Sequence, residues 1–153
     1  MMIFIGSDHR GFELKRFIKN YLVSNVRAPA IDHGPAEYES HDDYVDFAQK
    51  VVEGVLEDPW QNRGILICGS GHGMEMTANK YKGIRAVLGF NIAVAQQSRE
   101  HEDANVLVLP SDWLKPDEAA TIVHAWLSTE YGAAERNQRR LDKLSKIEEK
   151  NFK

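Results

Sequence analysis

The chain has 153 residues, 42% of them hydrophobic, and a formal net charge of −4. That length can bury a substantial core, and the composition argues against a disordered chain or a general nucleic-acid binder. The single cysteine excludes an internal disulfide framework, the apolar runs are too short for a membrane span, and the N-terminus lacks a secretory pattern, so a cytoplasmic globular protein is expected.

Met2-Ile3-Phe4-Ile5, closed by Gly6, reads as a buried first strand. The turn Ser7 to Gly11 follows, and Leu14, Phe17, Ile18, Tyr21 and Leu22 then recur at helical spacing. Ala28 to His33 is expected as a second strand, at a sheet edge because Pro29 lacks a backbone donor. Gly34 to Asp43 reads as a loop. Tyr44, Phe47, Ala48, Val51, Val52, Val55 and Leu56 form an amphipathic helix that Asp42 or Asp43 could cap.

Ile65 to Cys68 is a third strand, followed by a glycine-rich turn and a short helix to about Lys80. Arg85 to Gly89 and Asn105 to Leu109 read as strands four and five, with a helix over Asn91 to Glu100 between them. A fifth helix starts at Pro116, where proline is tolerated, and a charged final helix from Glu135 carries a thin stripe of Leu141, Leu144 and Ile147.

Strands alternating with helices imply an α/β protein: a three-layer, Rossmann-like (flavodoxin-like) parallel sheet of five strands covered on both faces, with an extra C-terminal helix. With strand two at an edge, the expected order is 2-1-3-4-5, with residues 1–153 as one domain. Its switch point lies between strands one and three, where ligands bind beyond the carboxyl ends. Asp8, His9 and Cys68 would share that crevice.

The stretch GILICGSGHGMEM, Gly64 to Met76, is the most informative. Gly69, Gly71 and Gly73 alternate with Ser70 and His72 between a strand and a helix, an arrangement suited to holding an anion on backbone N–H groups. Cys68 at its mouth would feel the helix end, which lowers a thiol pKa. The plainer reading of a lone cysteine is a small buried hydrophobe. Ser70 could donate to a substrate oxygen or serve the turn alone. Asp8 and His9 could act as acid, base or orienting pair, or simply cap the first helix. Arg136 and Arg140, one helical turn apart, could grip a phosphate or form a solvated face. His101 has no signal of its own, and His33, His41, His72 and His124 show no metal spacing.

Together, IGSDHRGFELK, GILICGSGHGMEMTANK, GIRAVL, SREHEDANVLVL and the arginines around RLDKLSKIE resemble the type B ribose-5-phosphate isomerase family, which includes galactose-6-phosphate isomerase subunits. The resemblance spans nearly the whole chain. It implies a homodimer or homotetramer with active sites shared between subunits, the helix 135–153 packing at the interface. It also implies interconversion of aldose and ketose phosphates through a cis-enediolate, without metal or other cofactor.

By motif, Cys68 matches the base, and Gly69, Gly71 and Gly73 the anion hole for the enediolate. Ser70 matches a residue assisting the sugar hydroxyls, Asp8 and His9 the pair contacting ring and phosphate, and His101 the ring-opening histidine from the neighbouring subunit. Arg136 and Arg140 match phosphate-binding arginines. In another branch the base is a glutamate at the position of Met74; Glu75, one residue later, is rotated by about 100° on a helix. The chain departs from the family at Glu102 (usually Asn), at Asp112 (usually a phosphate-binding arginine) and at Val45 (usually Pro). Two acidic replacements would oppose an anionic ligand unless another cation, such as Lys115 or Arg139, compensates. Ribose 5-phosphate to ribulose 5-phosphate is the default reaction. The alternatives are another tetrose, pentose or hexose phosphate, or a non-catalytic sugar-phosphate-binding module.

Overall fold

The computed structural model describes residues 1–152. Lys153, the end of the expected final helix, lies outside the described residues. The strands are β1 (Ile3–Ser7), β2 (Ala30–Asp32), β3 (Arg63–Cys68), β4 (Ala86–Leu88) and β5 (Val106–Pro110). The helices are α1 (Phe12–Tyr21), α2 (Tyr44–Leu56), α3 (His72–Ala78), α4 (Ile92–Glu102), α5 (Pro116–Ser128) and α6 (Glu135–Asn151). A π-helical segment, Leu22–Val26, extends α1 and ends on Arg27 in the left-handed region. Nothing in the apolar spacing announces that segment.

All strand pairs are parallel, and alternate residues face opposite layers. Ile3, Ile5, Ile65, Ile67, Leu107 and Leu109 pack with α1 and α5, where Trp126 is fully buried. Phe4, Leu66, Cys68, Val106 and Val108 pack with Val51, Val52 and Val55 of α2 and Met74 of α3. Burial on both faces explains why β3 and β5 read as uninterrupted apolar runs.

The strand order is β2-β1-β3-β5-β4, which corrects the expected 2-1-3-4-5. The reason lies in the strands themselves. All five residues of β5 are buried, so it takes the central place beside β3, in register from Gly64 and Val106 to Cys68 and Pro110. The three-residue β4 is only partly buried and forms the edge. β2 does lie at the other edge, with Pro29 left outside it. The switch between β1 and β3 survives the correction, because those two strands remain neighbours.

Asp43 occupies the position before α2 but makes no side-chain cap. Asp42 makes no cap either, being engaged elsewhere, as described below. The loop following β2 is instead fixed from beneath by Lys15. This side chain is almost fully buried, and its Nζ donates to Asp32 Oδ1 and Pro35 O, both at 3.0 Å. Lys19 adds a second ion pair to Asp32 at 2.6 Å. Burial works against the Asp32 charge, yet hydrogen bonds from Lys19, the Gly34 N–H and Lys15 outweigh it and hold the carboxyl below its usual range.

Two measurements test this architecture. Leu107→Ala in central β5 should lower unfolding free energy by about 2–5 kcal/mol in urea titrations, whereas Val87→Ala on the β4 edge should have a smaller effect. For Asp32 the folded pKa lies below the unfolded one, so its contribution is present above about pH 4 and fades as pH falls through the folded value. Asp32→Asn should therefore be less stable than the wild type at neutral pH, with the gap closing under acid.

Candidate active site

Asp8 is nearly inaccessible at the carboxyl end of β1 and uses both oxygens. Oδ1 accepts the Gly11 N–H at 3.0 Å, turning the chain into α1. Oδ2 accepts the Cys68 thiol, also at 3.0 Å, across the β1–β3 boundary. Glycine at position 11 is a steric requirement, because a Cβ there would overlap the backbone carbonyl of Ile67.

Cys68 closes β3 and is buried, 7% exposed as a residue. Burial, then the hydrogen bond to Asp8 and the Asp8 charge, push the thiol pKa up to about 11, against weaker help from the Gly71 and Gly69 N–H groups. This overturns the expectation of a lowered pKa. The glycine turn stabilises the thiolate in the expected sense, but burial and a carboxylate in direct contact together contribute more.

The turn itself has the expected shape. Gly71 lies in the left-handed region at φ 81° and starts α3, where the Glu75 N–H returns to its carbonyl at 3.0 Å. Gly73 admits the Tyr44 ring, which a Cβ would meet at 2.5 Å. The Ser70 hydroxyl is half-buried beside the turn, and its Oγ accepts the His72 N–H at 3.4 Å. Glu75 Oε1 accepts the Leu88 N–H at 2.9 Å, a structural bond that ties α3 to the end of β4.

His9 is fixed by Asp42. A single carboxylate oxygen, Oδ1, takes the His9 backbone N–H at 3.0 Å and Nδ1 at 2.6 Å. Because a carboxylate only accepts, Nδ1 carries the proton and Nε2 remains for other partners. Local sequence gives no sign of this partner, 33 residues away. Asp112, unexpectedly, is paired: its Oδ2 lies 2.5 Å from Nη2 of Arg10. The compensating cation is thus neither Lys115 nor Arg139 but the residue beside His9.

One chain does not bring every candidate into this crevice. α4 begins just past the carboxyl end of β4 and ends at Glu102, shortly before β5 starts. In a parallel sheet this puts His101 and Glu102 at the amino ends of the strands, away from Cys68. The Gly132 N–H donates to Glu100 O at 3.0 Å, which places the approach to α6 at that same end. Arg136 and Arg140 follow on α6, exposed and without hydrogen-bond or ion-pair partners among the described residues. Asp8, His9, Cys68, Ser70, Gly69, Gly71 and Gly73 thus make one group, and His101, Arg136 and Arg140 another.

Among the described residues, no group of three or more His, Cys, Asp or Glu could hold a metal ion. No helix among them is long and apolar enough to cross a membrane.

Comparison with known proteins matches residues 3–144 to the family described as Ribose/Galactose Isomerase. The probable ribose-5-phosphate isomerase B of Mycoplasma genitalium is 40% identical over 146 residues, covering 95% of each chain. The crystal structure of ribose-5-phosphate isomerase B from that organism, with bound ribulose-5-phosphate, superposes with a TM-score of 0.93 at 38% identity, covering 99% of this chain and 100% of the other. The Clostridium thermocellum enzyme superposes at 0.91 with 43% identity, covering 98% and 99%. With its fold and nearly its full length matched, this chain belongs to the ribose/galactose isomerase family.

Proposed function

We propose that the protein is a cofactor-independent aldose–ketose isomerase of sugar phosphates, with ribose 5-phosphate and ribulose 5-phosphate as the first pair to test. The observation that carries this reading is the Cys68–Asp8 contact beside a turn rich in backbone N–H groups. It joins an acid–base group to a cradle for negative charge, the two things that enediolate chemistry requires.

In the proposed sequence, Asp8 Oδ2 accepts the thiol proton as substrate fills the crevice. The Cys68 thiolate then removes the proton from C2 of the open-chain aldose. The electrons move into an enediolate, whose oxygens take hydrogen bonds from the N–H groups of Gly69 to Gly73 and from Ser70. The O2 hydroxyl proton passes to O1 of the enediolate. Cys68 returns the abstracted proton to C1, giving the ketose with its C1 hydroxyl, and then recovers its own proton from Asp8.

The raised thiol pKa has two consequences. It keeps the empty site protonated, with roughly one thiol in ten thousand ionised at pH 7. It also makes the thiolate a strong base once formed, which suits a weakly acidic C–H.

His9, oriented by Asp42, contacts the ring and phosphate. His101 opens the sugar ring, and Arg136 and Arg140 bind phosphate, all three supplied by a second copy of the chain. The two-ended distribution of these groups supports a shared site. So does the apolar stripe of α6, where Leu144 is 49% and Ile147 58% exposed. We infer that α6 packs at the interface of a homodimer, which could pair into a tetramer. The acidic Asp112 does not argue against an anionic ligand, because Arg10 offsets its charge.

Isomer formation across a panel of four- to six-carbon aldose and ketose phosphates tests the reaction class. Cys68→Ala should stay folded, fall about 10²–10⁴-fold in rate and lose solvent-proton exchange at C2 of the substrate. Exchange at the wild-type rate would remove Cys68 as the base. Alkylation of the free enzyme should report a thiol midpoint near 11, falling in Asp8→Asn. For the shared site, co-refolding inactive Cys68→Ala with inactive His101→Ala should restore about a quarter of wild-type activity, because each mixed dimer keeps one intact site. No recovery despite mixed dimers would place both residues in the same chain's site.

A further inference from the structure

Arg10 follows Asp8 and His9 in the loop that leaves β1, and its guanidinium spans the crevice mouth to Asp112, in the loop leaving β5. A hypothetical Cβ on Gly69 would stand 2.5 Å from Arg10 Nε and 2.7 Å from Cζ. Gly69 has no positive φ, so its backbone does not demand glycine. The Arg10 guanidinium occupies the space that a Cβ would take there. The cation therefore lies directly against the turn that follows Cys68.

A simple clasp between loops does not account for this pair. The loops are already joined without it. The Ser111 N–H donates to Cys68 O at 2.9 Å and the Asp112 N–H to Gly69 O at 3.0 Å, while Ser111 Oγ reaches Arg10 O at 3.1 Å. The Arg10 side chain is 56% exposed, and an ion pair with such exposure adds little to stability. Only Nη2 is engaged, so Nε and Nη1 have no protein acceptor among the described residues. The second Nη2 hydrogen, together with Nε or Nη1 beside it, still forms one two-donor edge, which suits bidentate binding of a phosphate.

We propose that Arg10, held across the crevice mouth by Asp112, receives the phosphate of the substrate within its own subunit. Asp112 orients the guanidinium and leaves its other edge for the ligand. This rests on the isomerase reading for the identity of the ligand, whereas the anion site itself can be measured without turnover.

The test uses the full chain as wild type, Arg10→Met, Arg10→Lys and the double variant Arg10→Met with Asp112→Arg. Inorganic phosphate binding is measured by calorimetry, and kcat and KM on the sugar phosphate turned over fastest. Arg10→Met should weaken phosphate binding and raise KM by about 10- to 100-fold, with kcat changed by less than about threefold. Arg10→Lys, which keeps the charge but not the fork, should fall between. The double variant should recover much of the affinity, since the guanidinium then enters from the opposite lip.

Wild-type phosphate affinity in Arg10→Met would overturn the proposal, as would a fall in melting temperature with affinity unchanged. So would an absence of phosphate binding in the wild type. If the wild type binds phosphate through Arg10 yet turns over no sugar phosphate, the isomerase reading fails and the anion site stands.

Discussion

The crevice depends on one buried carboxylate. Asp8 joins the start of α1, through the Gly11 N–H, to the end of β3, through the Cys68 thiol. Each oxygen has one partner, and a buried acceptor left without one carries a full desolvation penalty. The same two bonds thus set the turn after β1 and the proton chemistry at Cys68. Close approach makes this possible, since the Gly11 backbone passes against the Ile67 carbonyl, where any other residue would collide. The raised thiol pKa follows from that joint and from burial, not from a defect in the glycine turn.

His9 depends on a longer chain of support. Lys15 emerges from α1 beneath the β2 loop and holds it through Asp32 and Pro35. The loop then delivers Asp42 to the imidazole. A histidine beside a crevice can adopt several rotamers, and two bonds to a single oxygen select one. Asp42 Oδ2 is buried without a partner, an expense tolerated where Oδ1 does the orienting. Rigidity at His9 is therefore supplied largely by Asp32, Pro35 and Asp42, more than twenty residues away in sequence, with Lys15 of the adjoining helix as the link.

This division explains what could be read from the chain alone. Alternation of β3, turn and α3 was legible because periodicity is local and Gly69, Gly71 and Gly73 punctuate it. The edge position of β2 followed from Pro29, a missing donor. The order of β4 and β5 was not, because both are short apolar runs and only burial on assembly separates them. NVLVL is the longer, unbroken one, and that was the available clue. The rise in the Cys68 pKa was hidden for another reason: the turn's N–H groups are visible in sequence, but the burial of the thiol and the carboxylate 60 residues away that oppose them are not. The partners of Asp112 and His9 were invisible on the same grounds. Family resemblance supplied roles for His101, Arg136 and Arg140, which no local pattern distinguishes from surface groups.

The parallel topology carries a further constraint. Every strand ends at the same side of the sheet, so loops leaving β1, β3 and β5 converge while helix α4 must return to the other side before β5. The end of α4 and the approach to α6 therefore lie at the amino ends of the strands, away from the glycine turn of their own chain. On the proposed reading, a complete site forms only where the amino-end surface of one copy meets the carboxyl-end crevice of another. The isolated crevice suits that division: its thiol is buried, protonated and hydrogen-bonded, hence a poor nucleophile toward stray electrophiles. On that same proposed reading, reactivity belongs to the assembled, substrate-filled crevice, where bound sugar would displace water, Asp8 would take the proton and the N–H groups of the turn would have a developing charge to stabilise.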